Sequence, residues 1–61
     1  MNNKDKKFLL KKWKELFCDK QQEIDPDDEH EWNTLFVGMA VTLGYKADEA
    51  ELLYYEKAYK I

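Results

Sequence analysis

A single cysteine stands in a chain of 61 residues, and nothing else in the sequence can act as a covalent or metal staple. Cys18 has no partner for an internal disulfide, and no CxxC or related zinc spacing occurs. A core this small supplies only about 3–5 kcal/mol of net stability by packing alone. The chain must therefore pack its elements unusually well or complete its core with a second chain. Two Trp, four Tyr and three Phe make either route workable. Self-association into a homodimer is one expectation.

Apolar spacing predicts an all-α fold, a small domain of three helices covering residues 1–61. The first helix runs from about Asp5 to Gln22, with Leu9, Leu10, Trp13, Leu16 and Phe17 at three- and four-residue spacing. Ile24 would continue that stripe, and Phe8 lies at its edge. The second runs from Pro26 to Leu43, with Asp25 as N-cap, Pro26 in the first position, and Asp27, Asp28 and Glu29 favoured by the helix dipole. Trp32, Leu35, Phe36, Met39, Ala40 and Leu43 form its main face. Val37 and Val41 form a second, near His30 and Thr34, as in a helix touching more than one neighbour. Gly44 is placed as the left-handed residue that ends it, with Tyr45 folding back.

The third helix is predicted from Ala47 to Tyr59, again with two apolar stripes. Ala47, Ala50, Tyr54, Ala58 and Ile61 make the one suited to close packing, with Leu53 at its margin. Leu52, Tyr55 and Tyr59 make the other. Ala40, Gly44, Ala50 and Leu53 have the spacing of a helix-turn-helix, so helices two and three are expected to pack in that manner. The stretch "LGYKADEAE" resembles the loop and second helix of ubiquitin-associated-type three-helix domains, over about Leu43 to Leu53. The resemblance implies a tight turn there, and no ligand-binding role is transferred from it.

Charge argues against reading DNA with that turn. The formal net charge is −3, every basic residue is Lys, and Arg is absent. Residues 1–22 carry seven Lys against three acids, a balance of +4, and residues 23–61 carry three Lys against ten acids, a balance of −7. The third helix holds Asp48, Glu49, Glu51 and Glu56, and carboxylates repel the phosphates that dominate such binding. The turn is therefore expected to be a packing device, and nucleic acid is not the expected partner of this helix.

Chemistry of other kinds finds little support. As a calcium loop, "DPDDEHE" puts His30 where Gly is needed and Phe36 where a bidentate Glu is needed. His30–Glu31 would begin HExxH, but Thr34 stands where the second His should be. There is no Ser, and Cys18 and His30 lack an orienting third residue. No catalytic residue, cofactor or metal is therefore predicted. No apolar run approaches the roughly 20 residues of a membrane span. With no secretory signal and one unpaired thiol, a cytoplasmic location is expected.

Two surfaces remain as candidates. Leu52, Tyr55 and Tyr59, bordered by Glu51 and Glu56, suit a protein contact with aromatic anchors and acidic steering toward a basic partner. The function expected from them is that of a non-enzymatic inhibitor, adaptor or regulator, in one form a nucleic-acid mimic. Short, acidic, compact chains of this kind resemble accessory proteins of bacteriophages and mobile elements. Lys4, Lys7, Lys11 and Lys14 form the alternative, a basic face for nucleic acid or an anionic surface.

Overall fold

A computed structural model describes residues 1–60, and the side chains of all of these but Lys60. Ile61, placed by its spacing on the Ala47–Ala50 stripe, lies outside the described residues. Helix α1 spans Asn3–Lys20, α2 spans Glu29–Thr42, α3 spans Ala47–Glu56, and a 3-10 turn covers Ala58–Lys60. The described residues contain no strand. Helices α2 and α3 pack along each other more extensively than α1 packs on α2.

Each boundary has a local cause. Helix α1 starts two residues earlier than predicted because Asn2 caps it, its side-chain oxygen accepting the N–H of Asp5 at 2.8 Å. It ends at Lys20, where the N–H of Glu23 turns back onto the Lys20 carbonyl at 2.9 Å. The predicted start of α2 needs correction. Asp25 and Pro26 lie in a turn closed by the Asp28 N–H on the Asp25 carbonyl at 3.0 Å, with Pro in the second position it favours. Asp28 is the cap, its carboxylate accepting the Glu31 N–H at 3.1 Å. The buried Trp32 indole selects this arrangement by donating to the Asp25 carbonyl at 3.0 Å.

The end of α2 matches expectation. Gly44 has φ +98°. The N–H of Tyr45 reaches the carbonyl of Ala40 and that of Gly44 reaches Val41, both at 3.0 Å, which is a Schellman closure. Helix α3 stops three residues short of the predicted Tyr59. Lys57 leaves helical geometry at φ −138°, and the chain re-enters a tighter turn that presents the Ala58 carbonyl to the Trp13 indole N–H at 3.3 Å.

The core comprises Leu9 and Trp13 from α1, Trp32, Phe36 and Ala40 from α2, and Ala50, Leu53, Tyr54 and Ala58 from the C-terminal third. Trp13 is its hub, meeting Phe17, Trp32, Phe36 and Tyr54 edge-on at centroid distances of 5.3–6.3 Å. Such ring pairs add about 0.5–1.5 kcal/mol each beyond area burial. Ala40 and Ala50 are fully buried and let α2 and α3 approach closely. Three predicted burials are not realised. Ala47, assigned to the packed stripe of α3, is exposed at the first position of that helix. Leu43, assigned to the core face, is 43% exposed because it is the capping residue where the backbone turns away. Val41 is 49% exposed, since among the described residues no third element covers that side of α2.

Candidate functional site

Because Ala50, Leu53 and Tyr54 point inward, α3 turns Leu52 outward. Leu52 is 70% exposed and Tyr55 50%. Tyr55 is held at both ends: its ring meets Tyr54 edge-on at 5.4 Å, and its hydroxyl accepts a hydrogen bond from Asn33 Nδ2 at 3.2 Å. A tyrosine fixed on a helix loses little rotamer freedom when a partner covers it, which suits an anchor. Glu51 and Glu56 are exposed on the same helix, and Glu56 is partly screened by Lys6 Nζ at 3.7 Å. The third predicted anchor is placed apart. Tyr59 follows the break at Lys57 and lines a cleft with Trp13, Trp32 and Tyr54, so it does not continue the stripe of α3.

The predicted basic face is continuous. Lys4, Lys7, Lys11 and Lys14 are all exposed on the outer side of α1, over about 15 Å of helix. None of the four is ion-paired among the described residues; Lys6, Lys12 and Lys20 are the ones engaged, by Glu56, Glu15 and Glu23. Phe8 sits beside the stripe, 41% exposed, with Lys12 Nζ 5.8 Å from its ring centre.

A third surface was not predicted. An open groove of about 820 Å3 lies between α1 and α2, floored by Leu16, Leu35, Met39 and Leu43 and flanked by Lys12 and Glu15. The signal available in the sequence was an absence, since no charged residue occurs between Glu31 and Lys46. That gap acquires meaning only once the position of α1 shows which part of α2 is left bare.

The acidic segment around the start of α2 is built into the backbone. Asp25 Oδ1 accepts the N–H of Asp27 at 3.0 Å, and Asp28 caps the helix. His30 and Cys18 are both exposed. Among the described residues, no three His, Cys, Asp or Glu side chains are grouped to hold a metal ion. Two phenols are perturbed. Burial first, then the hydrogen bond to Asp5 and its charge, raise the pKa of Tyr45. Burial first, then the charges of Glu29 and Tyr55, raise that of Tyr54. Among the described residues no helix is long and apolar enough to cross a membrane.

Compared with known proteins, the chain matches no family model, no curated protein and no solved structure.

Proposed function

We propose that this chain is a non-enzymatic protein-binding module whose contact face is the outer side of α3. Leu52 and Tyr55 are its apolar anchors, and Glu51 and Glu56 bias it toward a partner with a basic surface. The observation that carries this reading is the 70% exposure of Leu52 on a helix whose opposite side already fills the core. A leucine so exposed contributes little to the fold. Next to a rigid tyrosine it supplies the centre of a small interface.

A second reading rests on the four exposed, unpaired lysines of α1. They would hold nucleic acid or another polyanion without sequence preference, and the binding would weaken steeply with salt.

Affinity capture from nuclease-treated lysate separates these readings, comparing the wild type with Leu52→Lys/Tyr55→Ala. A protein retained by the wild type and lost by the variant supports the α3 face. Retention of the same protein by both overturns it. Recovery of nucleic acid alone from untreated lysate, abolished when Lys7, Lys11 and Lys14 become Gln, moves the function to α1. A sedimentation coefficient that rises with concentration and reverts in the α3 variant identifies a second copy as the occupant.

A further inference from the structure

A cleft of about 250 Å3 opens where the start of α2 faces the end of α3. Its lining includes five aromatic residues, Trp13, Phe17, Trp32, Tyr54 and Tyr59, and one charged residue, Glu29. The volume falls below the roughly 300–1,000 Å3 of pockets that enclose whole drug-sized ligands. It has room for a head group.

The chemistry of the lining is one-sided. Both indole N–H groups are spent on backbone carbonyls, Trp13 on Ala58 and Trp32 on Asp25. No indole donor is therefore left for an anion. Because Trp13, Trp32 and Tyr54 are nearly covered, at 2%, 4% and 3% exposure, the open ring surface, with its negative quadrupole, is mainly that of Phe17 and Tyr59. Glu29 is exposed and has no ion-pair partner among the described residues. Its charge reaches into the cleft, where it contributes to raising the Tyr54 phenol. Asp25 and Asp27 add negative charge close by in the chain, and Lys57, next to Ala58, is exposed and pairs with none of these carboxylates. The N-terminus of α2 opposes a cation, but with only about half a positive charge, against full charges on Asp28, Glu29 and Glu31.

We propose that this cleft is a binding site for an alkylated ammonium group, held against aromatic rings with Glu29 as counter-charge. A free quaternary amine and a methylated lysine side chain carry that group equally well. An unmodified lysine is the poorer ligand because its ammonium gives up more hydration on entering an aromatic site. The proposal stands apart from the α3 face and uses none of its anchors.

Both tryptophans of the chain line the cleft, so their emission reports on its occupancy. The full chain is titrated with tetramethylammonium chloride, with a trimethyllysine peptide and with its unmodified counterpart, against matched potassium chloride. The expected result is a saturable change with the first or second ligand, weakened by about tenfold or more in Glu29→Gln. Tyr59→Leu, which removes a half-exposed ring from the lining, should weaken it as well. Urea midpoints of both variants are measured alongside to separate loss of binding from loss of fold. Tighter saturation by the methylated peptide assigns the site to a lysine side chain, and tighter saturation by the free ion to a small amine. No saturable change beyond that in potassium chloride, or equal affinity in Glu29→Gln, overturns the proposal.

Discussion

The indole N–H of Trp13 donates to the carbonyl oxygen of Ala58 at 3.3 Å, joining positions 45 residues apart inside the core. This bond ties α1 to the turn that follows α3. Trp13→Phe keeps an aromatic ring but leaves the Ala58 carbonyl unsatisfied, at an expected cost of about 1–3 kcal/mol. Trp13→Ala adds a cavity at a cost of about 3–5 kcal/mol, comparable to the whole stability of a core this size. Urea unfolding followed by circular dichroism should show a lowered midpoint for the first and an unfolded chain for the second. A Trp13→Phe midpoint equal to that of the wild type would contradict the role given to the bond.

The two glycines should respond to alanine in opposite directions. An added Cβ meets nothing within 4 Å at either position, so backbone conformation decides. Gly44 sits at φ +98°, and Gly44→Ala should cost roughly 1–2 kcal/mol. Gly38 lies within α2 on its exposed side, and Gly38→Ala should stabilise by about 0.5–1 kcal/mol. Midpoint shifts of the same sign would show that one of the two environments is misassigned.

The start of α2 is open to an equally direct check. Asp28→Ala removes the cap and should cost about 1 kcal/mol. Asp25→Ala loses one local turn bond to Asp27 and should cost less, because Trp32 uses the backbone carbonyl of Asp25 and not its carboxylate. The reverse order in chemical denaturation would place the helix start at Pro26 after all.

Stability should fall in alkali through the tyrosines. Tyr45 donates its hydroxyl to Asp5 Oδ1 at 3.1 Å, and its pKa is raised by burial and then by Asp5. Tyr54 is raised in the same direction. The fold therefore keeps these phenols protonated at pH values where the unfolded chain, near the ordinary value of about 10, has begun to lose the protons. Their contribution is complete below pH ~10 and is lost as the pH rises through the folded-state values. Urea midpoints measured across this range should decline less steeply for Tyr45→Phe than for the wild type. Parallel declines would remove Tyr45 from the explanation.

Leu52→Ala should leave the urea midpoint within about 0.5 kcal/mol of the wild type, since the side chain is 70% exposed. A larger loss would mean that Leu52 serves the fold and is not held outward for a partner.

Helix number and most core partners were legible because they depend on spacing alone. Trp13, Trp32, Phe36, Ala40, Ala50 and Tyr54 recur at helical intervals, and Gly44 punctuates them where a left-handed residue is required. The start of α2 was not legible, since "DPDD" offers several equivalent carboxylates and the choice falls to the Trp32 indole. Nor was the end of α3, because the acceptor geometry at Ala58 answers to Trp13, far away in sequence. The same break separates Tyr59 from Leu52 and Tyr55, so a stripe drawn through all three assumes a helix that stops at Glu56. Exposure of the four lysines on α1 followed from pattern; whether Leu52 faces solvent or covers α1 did not, and the groove between α1 and α2 required a distance that no pattern contains.

The Gly44 turn has a consequence for the order of folding. It makes α2 and α3 a hairpin whose partners are close along the chain, so little loop entropy opposes their pairing. Docking of α1, and the Trp13–Ala58 bond that encloses most of the chain, must close a far longer loop. We therefore expect substitutions at Ala40 and Ala50 to slow refolding, while Trp13→Phe mainly hastens unfolding. Stopped-flow traces in which Trp13→Phe slows refolding most would place the nucleus at α1 instead. On the expected order, the unfolded chain first becomes a two-helix hairpin with its apolar side bare, and the lysine-rich α1 is the piece that covers it.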